Sequence, residues 1–597
     1  EGELDCGGSA VTVNVGDNTL VDLSKGRVLN AGQATLAVGA NSLTIYARGS
    51  DPSDLFGSFQ TQGMTHRAGK TLIVPGSKGF GGWGDIDDHV VCAGWIAATA
   101  GGGINLNGGL RVSGTGRVEL GSGELTVNDT TSGISGRGSV RAWQEHVGYP
   151  GVARFRQTGG TNTIEEELYL GHEKGSSGTY ELTGGELRCL SRQSVGFDGD
   201  GLFAQTGGLN DAHFLLLGFR PDSQGSYELS GGHLRSDHQY IGRQGGGLFR
   251  QSGGVNTVSH GLLLGVEAGG QGTYQLSGHG VLSADEEIVG TKAAGVFSQS
   301  GGTHTVGREL TIGSYPASDG TYELAGGQLS SNSAAIGLRG RGLLTQTGGT
   351  NTVAGGLCLG RYPGSEGVYT ISQGSLSTSS LLVGEQGRGT LHVTGPGASI
   401  FVQNMLRFGP RSTFTAVPGG TIHMAGSSLE NESTDPAALA GLENLRLIFE
   451  GGGEVVADFE VAGEDLGLLP AGWVNNFALG ALQLGGQAGA GHVRLVDDSD
   501  NQPGQAEALY VDSLVLNPGW MIDLNGLNLY FLNGGDPKQF LAGDANLDGT
   551  VDGLDYNLWS MNYNAGCESG WSSIPEPAAL LVVVAGVPLL LRRRRLP

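Results

Sequence analysis

Through the middle of the chain, apolar and polar residues alternate over short stretches that end in glycine. "LYLG" at 168–171, "LLLG" at 215–218, "LLLG" at 262–265, "LTIG" at 310–313 and "LCLG" at 357–360 are five such endings. A period of two puts Leu168 and Leu170, with their counterparts, on one face of a strand. Glycine pairs and Gly-x-x-x-x-Gly runs separate the stretches, as tight turns do. The pattern predicts many short strands and almost no helix.

The strands recur as a repeat. "FRQTGGTNTI" at 155, "FAQTGGLNDA" at 203, "FRQSGGVNTV" at 249, "FSQSGGTHTV" at 297 and "LTQTGGTNTV" at 344 form one unit. A second unit alternates with it: "TYELTGGEL" at 179, "SYELSGGHL" at 226, "TYQLSGHGVL" at 273, "TYELAGGQL" at 321 and "VYTISQGSL" at 368. Tyr180, Tyr227, Tyr274, Tyr322 and Tyr369 are 47, 47, 48 and 47 residues apart. A half-repeat cannot bury an apolar face alone, whereas stacked copies can. We read the chain as all-β, a parallel β-solenoid of double-coil repeats about 47 residues long, right-handed by the chirality of parallel crossovers. A β-propeller is the competing fold, since its blades are of similar length, but blades need four good strands. Asn162, Asn210, Asn256 and Asn351 fall in register, with His304 in the same column, and predict an asparagine ladder that satisfies turn amides.

The flanks are less regular. Residues 1–150 read as an irregular N-terminal part of the solenoid, 151–410 as its regular repeats, and 411–540 as a terminal β region. "GFGGWGDIDDHVV" at 79–91 reads as a long loop. A short helix is expected at "DPAALAGLENL", where Asp435 would cap and Pro436 would occupy the first turn.

Composition narrows the function. The chain has 597 residues, 112 of them glycine, and a formal charge of −24. Nucleic acid is disfavoured as a partner, because phosphate binding needs clustered Lys and Arg. The five cysteines show no CxxC spacing, which argues against a zinc site and leaves one disulfide open. No leader is visible in residues 1–20, so the start reads as missing or removed.

Catalysis on sugars, the usual chemistry of large β-helices, needs paired carboxylates. Asp198 and Asp200 stand out in "GFDGDG", but Asp198 sits in a column that also holds Gln244, Lys292, Arg339 and Gln386, and the segment reads as a solvated turn. Glu165 to Glu167, and Glu287 in "ADEE", also read as exposed. His233 and His238 have no acidic partner at fixed spacing. "GDIDDH", with Asp85, Asp87, Asp88 and His89, is the one compact cluster that could take a cation or a sugar. No catalytic residue is assigned.

One stretch carries definite chemistry. In "GDANLDGTVDGLDYNLW", Asp544, Asn546, Asp548, Thr550, Asp552 and Asp555 occupy the ligand positions of a twelve-residue EF-hand-type loop, with Gly549 at the sharp bend. Calcium needs six to eight hard oxygens, which side chains at alternate positions supply together with the Thr550 carbonyl. With Asp555 where glutamate is usual, residues 541–566 resemble half of a dockerin module. That resemblance implies Ca2+ and a cohesin-like partner, although "SMNYNAGCESGW" supplies no second loop.

The tail has three parts in order: Pro575-Glu576-Pro577, an uncharged stretch at 578–591, and Arg592, Arg593, Arg594 and Arg595. As a helix, 14 residues cover about 21 Å of a hydrocarbon layer about 30 Å thick, a poor permanent span but a sufficient transient one. The order resembles the PEP-CTERM sorting signal, here covering 567–597. The resemblance implies export, recognition by an exosortase-type processing enzyme and passage through the membrane. With the Gly-rich repeats and the dockerin-like loop, it is similar to large surface proteins of planctomycete-type bacteria. The expected protein is therefore non-enzymatic and sits at the cell surface or in the extracellular matrix. A protein that binds or acts on extracellular polysaccharide, or a cohesin-docked component, is the alternative.

Overall fold

Parallel pairing between strands one coil apart organises the chain. The computed structural model describes residues 2–534 apart from 18, 24–25, 40–42, 48–54, 62–63, 67–68, 70, 77, 99–100, 426–427, 452–455 and 487–490. The calcium loop and the tail lie outside the described residues. The chain divides into two compact units, Glu1–His304 and Thr305–Pro597.

In the first unit, Ser139–Val147 pairs in parallel with Val152–Leu170, which pairs with Ser177–Val195. That strand pairs with Asp200–Gln205 and with Leu209–Leu217. The same rule continues through 224–299. This is a parallel β-solenoid, and it excludes the propeller, whose blades are not built from strands stacked in parallel register.

Register places like residues over one another. Phe155, Tyr180, Phe203, Tyr227, Phe249, Tyr274 and Phe297 form a single interior column, with ring centroids 5.1, 5.0, 4.7, 4.8, 4.6 and 4.9 Å apart in turn. Those distances match the spacing of hydrogen-bonded strands, so the column gains ring stacking at no cost in coil geometry. Leu168, Leu170, Leu215, Leu217, Leu262 and Leu264 are all fully buried, as the alternation predicted.

The strand-ending glycines are required by geometry. Gly171 has φ 66°, and a Cβ there would run into the Asp200 carbonyl of the next coil. Only glycine combines a left-handed turn with so close a backbone approach.

Residues 79–91 are not a long loop. They contain the strands Lys78–Gly82, Gly84–Ile86 and the start of Val90–Cys92. Gly84–Ile86 pairs in parallel with 64–66 and 104–106, and Phe80, Ile86 and Val90 point inward and are buried. The glycines serve packing here, since a Cβ on Gly79 would meet the Trp95 ring.

In the second unit, Asp319–Leu324, Arg341–Gln346, Glu366–Val383 and Arg388–Phe408 pair in parallel in that order. Parallel pairing then runs from Gly420–Met424 through Leu445–Phe449, Leu479–Leu484 and Glu507–Leu516 to Asn528–Gly534. The expected helix is a 3₁₀ segment, Pro436–Asn444, and the Asp435 carboxylate accepts from the Ala437 N–H as its cap. Among the described residues no helix is long and apolar enough to cross a membrane.

Candidate functional site

The acidic residues singled out in the sequence do not converge. Asp85 accepts from the Asn105 side chain at 2.8 Å and Asp87 from Asn107 at 2.8 Å, each one coil away. His89 instead faces Asp129, 3.5 Å away, and that carboxylate holds its imidazole above the ordinary value. "GDIDDH" is thus a set of coil-to-coil contacts. Among the described residues, no group of three His, Cys, Asp or Glu is placed to hold a metal ion. Asp198 lies half-buried in a turn and Asp200 is exposed at the start of a strand. His233 is exposed, whereas the His238 ring stacks between Phe214 and His260 at 5.5 and 5.2 Å. Cys6, Cys92, Cys189 and Cys358 are all free and buried.

Two carboxylates expected at the surface are buried. Glu287 is fully enclosed, because its register partner Leu262 belongs to the interior leucine column. Glu167 is also fully enclosed, accepting from Ser194 Oγ at 2.5 Å and pairing with Arg192 at 2.7 Å. Glu165 and Glu166 remain half-buried.

The asparagine column is real, but its partners are not turn amides. Asn162 Nδ2 donates to the Tyr180 hydroxyl at 3.2 Å, and that hydroxyl donates to Gln157 Oε1 at 2.6 Å. Gln157 Nε2 donates to the carbonyls of Gly160 at 3.3 Å and Glu186 at 2.9 Å. It is glutamine, therefore, that satisfies the turn. The trio recurs as Gln205, Asn210 and Tyr227, as Gln251, Asn256 and Tyr274, and in the second unit as Gln346, Asn351 and Tyr369. Burial holds the phenols of Tyr180, Tyr227, Tyr274 and Tyr369 far above their ordinary range. The glutamines were visible in the sequence as the constant third residue of "FRQTGG" and "FAQTGG", two positions after the ring.

Asparagine also faces a second buried column. Asn162 Nδ2 donates to Glu145 Oε2 at 2.8 Å, and Asn210 Nδ2 to Gln193 Oε1 at 2.9 Å. Asn256 and Gln239 exchange two bonds, at 3.1 and 2.7 Å. In the next position His304 Nε2 lies 2.6 Å from Glu287, both side chains fully enclosed.

The densest chemistry on the outside of the first unit surrounds Glu167. The His146 and Tyr169 rings lie parallel at 4.8 Å, and His172 meets them edge-on at 4.8 and 4.5 Å. Phe197 covers His172 at 5.1 Å, Phe219 covers Phe197 at 4.8 Å, and the Arg243 guanidinium lies 4.4 Å over Phe219. Burial pushes the His146 imidazole down to about 4, and burial with the neighbouring Glu167 pushes the Tyr169 phenol up. Both groups are thereby moved away from neutrality, where general acid–base work is most effective. The faces of Phe197 are occupied by its neighbours, which leaves ring edges at the surface in place of an open stacking platform. The arrangement braces coils and presents a fixed aromatic and guanidinium strip.

No family model, no curated protein and no solved structure matches the chain.

Proposed function

We propose that the chain is a non-enzymatic, exported protein of the cell surface or extracellular matrix, whose repeats form a scaffold for presentation or packing. The observation that carries this reading is the order of three elements in its last residues: Pro575-Glu576-Pro577, the apolar stretch 578–591, and Arg592 to Arg595. On this reading the arginines stay on the cytoplasmic side, following the distribution of positive charge at membranes, while the body of the protein lies outside. An exosortase-type enzyme then processes the tail, and the 578–591 segment is a transient anchor.

The finer architecture belongs to the same proposal. Each repeat is a right-handed double coil of about 47 residues. Residues 541–566 bind Ca2+ through Asp544, Asn546, Asp548, Thr550, Asp552 and Asp555, and 567–597 form the sorting signal. Two observations support a scaffold over an enzyme. Asp85 and Asp87 are engaged coil to coil and Glu167 and Glu287 are enclosed, and the outer His146 and Tyr169 groups are tuned away from proton exchange near neutrality.

Fractionation of the native cells with intact-mass analysis of the mature C-terminus tests the proposal. A surface species that has lost the residues after Pro577 is the expected result. A species found only inside the cell and still carrying Arg592 to Arg595 would overturn it.

A further inference from the structure

The buried column that faces the asparagines has a regularity independent of any role in sorting. Its polar pairs Glu145–Asn162, Gln193–Asn210, Gln239–Asn256 and Glu287–His304 each span 17 residues. Every one of these side chains is fully enclosed. Leucines separate the pairs along the column: Glu145 is in register with Leu125 on one side and Leu168 on the other.

The Gln239–Asn256 pair shows what a complete rung looks like. Between them each amide gives one N–H and takes one, so neither carbonyl oxygen is left without a donor. The Glu145–Asn162 pair has the same outline with one bond missing. Asn162 Nδ2 donates to Glu145 Oε2, but Glu145 Oε1 and Asn162 Oδ1 are both buried without a partner. If the carboxyl is ionised, two acceptors confront each other with no hydrogen to share. If Oε1 carries a proton, it becomes the donor that Gln239 Nε2 is in the complete rung. A protonated glutamic acid is the closest steric equivalent of glutamine, which closes its rung at 239, while at 193 one bond is made and Gln193 Nε2 and Asn210 Oδ1 stay without a partner.

Burial and the Asn162 hydrogen bond are what act on the Glu145 carboxyl, and among the described residues no neighbouring cation favours the anion. The titratable groups that sense Glu145 from the neighbouring strand are the Tyr180 phenol and the Cys189 thiol. Both are pushed up by burial, the thiol to about 12, and are neutral. On the flanking strands, Arg192 is committed to Glu167, and the His146 imidazole, 3.5 Å from Glu124, is itself pushed down.

We propose that Glu145 is a proton-bearing rung: in the folded protein its carboxyl is neutral, donates from Oε1 to Asn162 Oδ1 and closes the pair as Gln239 does. The consequence is a solenoid that is locked in acid and loosened when that proton is lost. Burial moves the Glu145 carboxyl from the ordinary 4.5 up to about 7, which agrees with the geometry. The sign follows from linkage. Because the folded protein holds the proton more tightly than the unfolded chain, the stabilisation is complete below about 4.5 and is lost as pH rises to about 7.

The test uses the full chain as wild type, Glu145→Gln and Gln193→Glu. Hydrogen exchange of peptides covering 139–195, corrected for intrinsic exchange, is measured at pH 5 and pH 8. Wild-type protection should fall on the order of 100-fold between them, as the shift from 4.5 to about 7 implies. Glu145→Gln should fold and show no such fall, and Gln193→Glu should deepen it by adding a second proton-bearing rung. Infrared spectra near pH 6 should contain a protonated-carboxyl band that is weaker in Glu145→Gln, because burial pushes Glu460 and Glu507 up to about 7 as well and these remain in the variant. Equal pH dependence in wild type and Glu145→Gln, a band of equal strength in both, or a Glu145→Gln protein that fails to fold would each overturn the proposal.

Discussion

Replacing Tyr227 by phenylalanine would leave the ring column intact, because its neighbours at 4.7 and 4.8 Å are the phenylalanines Phe203 and Phe249. What disappears is one hydroxyl, which donates to Gln205 at 2.5 Å and accepts from Asn210 at 3.0 Å. Gln205 Oε1 would then be a buried acceptor with no donor, at a cost of about 1–3 kcal/mol. Hydrogen exchange across 203–233 should report that loss, with peptides of the second unit unchanged as the control. The same chemistry explains why the column alternates. Gln157 and Gln205 follow Phe155 and Phe203 by two positions, whereas Leu182 and Leu229 follow Tyr180 and Tyr227. A ring with a hydroxyl stacks where the coil before it offers a glutamine, and a bare ring stacks where it offers a leucine. The sequence displays both halves of this code, but the partners are some twenty residues apart and meet only once register is known. For the same reason Glu167 and Glu287 looked like surface charge: local alternation tells which face a residue takes, not what waits across the coil.

At the level of the strand and its turn, glycine decides where each element stops. Gly171→Ala should cost at least about 1–2 kcal/mol for the left-handed conformation alone, before the approach to the Asp200 carbonyl is counted. Its measurable sign would be a lower unfolding midpoint and faster exchange in 168–178, while Gly356→Ala, where nothing lies within 4 Å, should be nearly silent. Strand positions and their inward faces could be read from the period-two pattern through 152–383, and the capped turn at Asp435 from its Asp-Pro pair. Residues 79–91 could not, because four glycines and three aspartates imitate loop composition. There the glycines admit the Trp95 ring and the aspartates reach asparagines of the adjoining coil.

For the molecule as a whole, the repeat length and the two alternating motifs were enough to identify a parallel solenoid, since only stacking lets so small a unit bury its apolar side. The polar interior was legible as a column of asparagines, but its chemistry was not. The proposed calcium module makes a separate prediction. Calorimetric titration of the full chain with Ca2+ should reveal one site, and Asp548→Ala should abolish it by removing a central oxygen ligand. Heat unchanged by that substitution would count against the loop.

The rung that joins residues 17 apart has a consequence for how such a chain can change over generations. The rung and the tyrosine and glutamine beside it reach across three successive coils: Glu145 on the first, Gln157 and Asn162 on the second, Tyr180 on the third. Deleting or duplicating a whole pair at the DNA level would shift the chain by one full period, so a network cut at the join meets residues of the same columns on the other side. Peptide segments as alike as "FRQTGGTNTI" and "FRQSGGVNTV" are what repeated rounds of that kind of unequal recombination would leave. The protein's length is therefore a heritable quantity that can drift in whole steps, each new join re-forming its bonds from the same columns.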